Sequence, residues 1–211
     1  MEQEEPIPIA DVIKRGRGAT LNPAGRFETA DTSRSSDGWG DDPDAETRLR
    51  TSVTLEWAKS AISRNQSPDI PFDRSINPYR GCEHGCIYCF ARPTHAYMNL
   101  SAGLDFESRL FAKPNAAELV AREIAKKNYQ CRPLALGTNT DPYQPVEKDR
   151  QITRSILEVL AGAQHPFTIT TKSDLVLRDL DLLAPLAEQR LTAVGISLTS
   201  LDPHLSRQME P

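Results

Sequence analysis

Two hydrophobic periods alternate along the chain from about residue 75. Residues 75–79 (SINPY) form a short β-prone run that leads into Arg80-Gly81-Cys82. Residues 116–127 (AAELVAREIAKK) place Leu119, Val120, Glu123, Ile124 and Lys127 at helical spacing, with Asn115 as the expected N-cap. Residues 133–137 (PLALG) read as a buried strand, and residues 151–162 as a helix with Ile152, Ile156, Leu157, Val159 and Leu160 on one face, ending at Gly162. Residues 167–171 (FTITT) are a β-branched strand. Residues 180–190 are a further helix with Pro185 as a kink, and residues 191–198 (LTAVGISL) are a fourth strand. Strands separated by helices of this length predict βαβ units on a parallel sheet, with right-handed crossovers placing all strand C-terminal ends on one rim. The fold class is therefore α/β, with about four β/α units. The chain then runs into SLDPHLSRQMEP, where another helix begins. Four units are half of an eight-unit barrel and leave the last strand as an edge. On this pattern the chain is either truncated at its C-terminal side or in need of a partner.

The first fifty residues follow neither period. They carry eleven acidic and seven basic side chains, which accounts for the whole net charge of −4, and include GRG, NPAG and SRSSDGWGDDPD. Such a segment buries too little apolar surface to offset its ordering entropy. We expect residues 1–50 to be disordered or loosely draped and residues 51–211 to form the folded domain. The basic stretch Lys14, Arg15, Arg17 is read as a solvated tail, with contact to a phosphate backbone as the alternative. No apolar run reaches membrane-span length, and the acidic start lacks a signal-peptide pattern, so a cytoplasmic, non-membrane protein is expected. Four cysteines in 211 residues exclude a disulfide-dense scaffold, and the acidic balance excludes a wholly basic nucleic-acid binder.

Three of the four cysteines fall within eight residues, as Cys82-x3-Cys86-x2-Cys89, directly after the first strand. A structural zinc site wants four closed ligands, usually as two spaced pairs. Here no second pair follows, although His84 lies inside the loop and His95 or Cys131 can swing in, so a closed site such as Cys3His stays open. Three thiolates can instead hold three irons of a [4Fe–4S] cube, leaving the fourth iron open to an exogenous chelator. Gly81 and Gly85 allow the backbone to fold closely around a bulky group. His165 and His204 have no spacing partners and read as structural or surface residues. Cys131 lies before the second strand and reads as a buried small hydrophobe.

The C-x3-C-x2-C spacing after the first strand of a β/α chain, with Tyr88 before the third Cys, resembles the radical S-adenosylmethionine (SAM) superfamily. The wider block NPYRGCEHGCIYCFARPTHAYM, with the later GTNTDPYQPVE and TTKSDLVLRD, resembles its spore photoproduct lyase-like, or DNA repair photolyase-like, branch. The resemblance implies a partial (β/α) TIM-type barrel, a [4Fe–4S] cluster held by Cys82, Cys86 and Cys89, and SAM as second cofactor. It implies reductive cleavage of SAM to a 5′-deoxyadenosyl radical that abstracts hydrogen from a substrate, with nucleic acid as a candidate, and an electron donor of the flavodoxin or ferredoxin type. By position, Tyr88 matches the aromatic residue beside the adenine. Thr138, Asn139 and Asp141 stand where most members carry a Gly-Gly-Glu-like element for the SAM amino group, which is a departure from the family pattern. Lys172 matches a carboxylate or ribose contact, and Ser197 a further polar contact. No residue is assigned as the hydrogen donor. Two alternatives remain open: a zinc-stabilised nucleic-acid-binding module using Arg74, Arg80, Arg92 and the basic stretch, and a non-catalytic remnant that keeps the cluster.

Overall fold

The computed structural model of the chain describes residues 17–19, 22–23 and 50–211. Strands β1 (Ser52–Leu55), β2 (Ile62–Arg64), β3 (Arg74–Ile76) and β4 (Tyr79–Arg80) come first. A 3-10 helix (Arg92–Met98), α1 (Leu104–Ser108), β5 (Arg109–Ala112) and α2 (Ala116–Ile124) follow. Next are β6 (Leu134–Leu136), α3 (Glu147–Arg150), α4 (Ile152–Gly162) and β7 (Phe167–Thr171). A second 3-10 helix (Asp174–Asp179), α5 (Leu180–Glu188), β8 (Thr192–Ile196) and α6 (Pro203–Met209) end the chain. Among the described residues, no helix is long and apolar enough to cross a membrane.

The main sheet has the order β2-β3-β6-β7-β8. Its four parallel strands, β3, β6, β7 and β8, are the four expected from the sequence, and each lies beside its successor. That is the arrangement which repeated right-handed β/α crossovers produce. Strand β2 runs antiparallel on the outer side of β3. Among the described residues the sheet is open, with β2 and β8 as its edges. The α/β class holds.

Helical periodicity explains the core. Leu119 and Val120 of α2, Ile156, Leu157 and Leu160 of α4, and Leu183 and Leu186 of α5 pack on Ile76, Leu134, Leu136, Phe167 and Ile169 of the sheet. Full burial of each such side chain stabilises the fold by about 1.5–3 kcal/mol. Strand β7 shows strict alternation, with Phe167, Ile169 and Thr171 buried and Thr168 and Thr170 exposed. Helix α5 contains Pro185 and continues past it to Glu188.

Four local expectations change. The run 75–79 is two strands, because Pro78 has no N–H to donate and the Asn77 side chain turns to the end of β6. Strand β4 therefore leaves the main sheet and joins a small one of order β1-β5-β4. Asn115 does occupy the N-cap position of α2, yet its amide caps nothing. It accepts from the Ala58 N–H at 3.2 Å and donates to the Ala58 carbonyl at 2.9 Å, so a tertiary bridge displaces the local cap. Cys131 is exposed rather than buried, because the chain before β6 loops over the surface. Most of residues 1–50 lies outside the described residues, Lys14 and Arg15 included. Arg17 is neither solvated nor free for phosphate, since it pairs with Glu83 at 3.1 Å.

Candidate metal centre

The C-terminal ends of β3, β6, β7 and β8 share one rim, and the thiol loop rises there after β4. Gly81 opens the loop with φ +75°, a left-handed conformation that favours glycine, and a Cβ there would meet Leu110, Phe106 and His95 within 3 Å. Cys82 and Cys86 are buried and Cys89 is half-buried, and all three are free thiols. Burial pushes the Cys82 thiol up to about 12 and raises that of Cys86, against which the Lys172 charge acts. Without a metal these two groups stay protonated at neutral pH, so loading a metal must release protons.

The loop is held from outside. Gln144 brackets it, donating to the Gly81 carbonyl at 3.1 Å and accepting from the Glu83 N–H at 3.0 Å. The Arg92 guanidinium donates to the carbonyls of Gly85 at 3.0 Å and Cys86 at 2.8 Å, and pairs with the buried Glu107. Arg80, the other flanking cation, pairs outward with Glu56.

Each candidate contact can now be placed. Thr138 and Asn139, at the end of β6, are fastened to Asn77: the Asn77 amide donates to Thr138 Oγ1 at 3.1 Å, and Asn139 N–H donates to Asn77 Oδ1 at 2.9 Å. The Asp141 carboxylate accepts from Tyr143 N–H, Thr171 Oγ1 and Lys172 N–H, with His84 Nε2 3.4 Å away. Lys172 points its ammonium at Ser197 Oγ, 2.9 Å away, and over the Tyr88 ring, 5.5 Å from its centroid. Tyr88 is 46 % exposed, so its ring is not core packing.

Two of these residues, Tyr88 and Lys172, meet around one that the sequence did not signal. The Glu210 carboxylate lies 2.5 Å from Lys172 Nζ and accepts from the hydroxyls of Tyr88 and Thr199. Burial opposes ionisation of both Lys172 and Glu210. Their mutual contact overcomes it, raising the ammonium and holding the carboxyl below the usual carboxylate range. Glu210 comes to the rim because α6, capped by Asp202 and started by Pro203, turns the chain back after β8. The Ile87 N–H then donates to the Met209 carbonyl at 3.0 Å.

The Radical SAM superfamily model matches residues 76–211, well over half of the chain. The chain belongs to the radical SAM superfamily. It is similar to uncharacterized proteins of Mycobacterium tuberculosis and Mycobacterium bovis, 40% identical to each over 153 residues, which is 72% of this chain and 45% of theirs. It is also similar to an uncharacterized protein of Methanocaldococcus jannaschii, 30% identical over 154 residues, 73% of this chain and 54% of that one. The chain thus spans about half the length of the curated relatives it matches. No solved structure gives a significant match.

Radical SAM proteins normally use a [4Fe–4S] cluster and SAM, and the donor set of this chain fits such a cluster. A cube takes thiolates at separate corners, and three free thiols on one loop provide three. Among the described residues, none of the fourth ligands open to the zinc alternative is gathered with the three thiols. His84 faces Asp141, His95 is buried with Nε2 3.0 Å from the Arg109 carbonyl, and Cys131 is exposed before β6, at the opposite ends of the strands.

Proposed function

We propose that this chain is the cluster-binding and SAM-binding part of a radical SAM enzyme. One observation carries the reading: three free thiols sit on one loop at the strand C-terminal rim, with Lys172, Ser197, Tyr88 and Glu210 converging beside Cys86. Cys82, Cys86 and Cys89 hold the cluster. When bound, cluster and SAM together supply a hydrogen-abstracting 5′-deoxyadenosyl radical. The chain's own residues bind and orient. Lys172 offers an ammonium to a carboxylate, Glu210 a carboxylate to an ammonium, and Ser197 and Thr199 hydroxyls to a ribose or an amino acid. The exposed Tyr88 face suits an adenine. Thr138 and Asn139 line the same rim. Asp141, its oxygens occupied by protein donors, works by placing Lys172 and His84.

On this reading the four parallel strands are part of a (β/α) barrel, and an electron donor of the flavodoxin or ferredoxin type serves the cluster. The spore photoproduct lyase-like branch, with nucleic acid as substrate, is the finer reading, supported by the wording of the motif segments NPYRGCEHGCIYCFARPTHAYM, GTNTDPYQPVE and TTKSDLVLRD.

Anaerobic reconstitution with iron and sulfide should give a brown protein with about four irons per chain. Cys86→Ala should abolish that uptake. Dithionite and SAM should then release 5′-deoxyadenosine from the intact chain. A colourless protein that retains zinc overturns the proposal. A full cluster with SAM bound and no release favours the non-catalytic remnant.

A further inference from the structure

The hydrogen bonds within the thiol loop are long: Gly85 N–H to the Cys82 carbonyl at 3.4 Å, and Cys89 N–H to the Cys86 carbonyl at 3.3 Å. Such bonds fix a backbone poorly, so the shape of the loop is imposed by its neighbours. One neighbour comes from a stretch whose composition reads only as polar and glycine-rich. The Arg17 guanidinium donates to Thr51 Oγ1 at 2.8 Å, to Glu83 Oε1 at 3.1 Å and to the Glu107 carbonyl. Ala19 N–H donates to Glu107 Oε1 at 2.8 Å. The Asn22 amide donates to Asp105 Oδ1 at 3.1 Å, and Asp105 N–H returns a bond to Asn22 Oδ1 at 3.0 Å. Glu107 is fully buried and is the same carboxylate that anchors Arg92, so a relay runs from Ala19 through Glu107 and Arg92 to the Cys86 carbonyl.

A second, independent observation is steric. A Cβ on Gly18 would stand 2.0 Å from the Gly85 carbonyl oxygen and 2.8 Å from Ile87 Cγ2. A Cβ on Gly85, itself at φ +63°, would stand 2.7 Å from Arg17 Cβ. Two glycines thus let two backbones touch one residue before Cys86. A side chain on Gly18 can be accepted only if the loop moves, because the opposing atom is backbone.

We propose that Arg17-Gly18-Ala19 is a clasp that fixes the conformation of the thiol loop and so positions Cys86 and Cys89; its significance for iron rests on the reading above. The clasp touches no reacting atom and acts through the loop. Its loss opens the loop locally and leaves the distant helical core intact.

The test uses the full chain, metal-free, as wild type, Gly18→Val and Arg17→Gln. Alkylation by iodoacetamide is followed cysteine by cysteine through peptide mass spectrometry, with the exposed Cys131 as internal reference. Both variants should alkylate Cys86 and Cys89 at least about fivefold faster relative to Cys131, with unchanged far-UV dichroism. After anaerobic reconstitution they should hold less iron than wild type, with shifted electron paramagnetic resonance g-values of the reduced cluster. Unchanged alkylation ratios in folded variants overturn the clasp. If Gly18→Val does not fold, Arg17→Gln decides on the same ratio. If wild type itself takes up no iron, the radical SAM reading fails, and the alkylation ratio alone decides the clasp.

Discussion

Asp141 shows how one side chain joins three parts of the rim. Its Oδ1 accepts from Tyr143 N–H at 2.8 Å and Thr171 Oγ1 at 2.6 Å, and its Oδ2 accepts from Lys172 N–H at 2.8 Å with His84 Nε2 at 3.4 Å. Burial pushes this carboxyl up, but His84, Thr171 and the Lys172 amide outweigh it and hold it below the usual carboxylate range. A depressed folded pKa means stability that is present above the unfolded value of about 3.9 and is lost as pH falls through the lower folded value. Asp141→Asn should therefore lower the unfolding free energy of the metal-free chain by about 1–3 kcal/mol at pH 7. The deficit should narrow as pH drops below about 4. Urea melts of both proteins at pH 7 and in steps below pH 4 measure this, and a deficit that stays constant with pH would mean the carboxylate charge is not what matters.

At the scale of elements, periodic segments were legible and exchanges between segments were not. Helix α4 and strand β7 lie where their apolar periods place them, because each buries one face on a neighbour next in the chain. The sheet β1-β5-β4 escaped because its strands are short and β1 pairs with β5 more than fifty residues away. The thiol triad was legible from spacing alone, whereas Glu210 was not, since only the return of α6 brings it to Lys172. The later motif segments prove to be supports for the strand ends. Within DPYQPVE, Tyr143 donates to Asp179 at 3.0 Å, Gln144 brackets the thiol loop and Glu147 pairs with Arg178 at 2.8 Å. Gly137 belongs to the same joint. It ends β6 at φ +86°, and a Cβ there would lie 2.1 Å from the Thr170 carbonyl oxygen of β7. Strain from the left-handed backbone adds to a clash with backbone that cannot swing aside, so Gly137→Ala should cost about 2–4 kcal/mol in chemical denaturation. A cost under ~0.5 kcal/mol, as at an ordinary surface site, would show that β6 and β7 approach less closely than described.

At the scale of the whole molecule, charge decides between an enzyme part and a nucleic-acid-binding module. The net charge is −4, so duplex binding would need a local cluster of unengaged cations. Among the described residues, the arginines that suggested one are engaged by the protein itself. Arg17 pairs with Glu83, Arg80 pairs with Glu56 through two bonds of 2.8 and 3.0 Å, and Arg92 is shared between loop carbonyls and Glu107. Arg74 is buried, 3.3 Å from Asp73 and bonded to the Gln130 carbonyl. A cation already paired with carboxylate releases few counterions from DNA, because it must first give up its partner. Binding of the metal-free chain to a duplex oligonucleotide, followed by fluorescence anisotropy between 50 and 200 mM salt, should therefore be weak. Its log–log salt slope should be smaller in magnitude than about 2, corresponding to no more than about two neutralised phosphates. A slope of about −6 or steeper would mean that several cations of the chain neutralise phosphate. That outcome would return the chain to the nucleic-acid-binding class, and the spore photoproduct lyase-like reading would gain a binding face within these 211 residues.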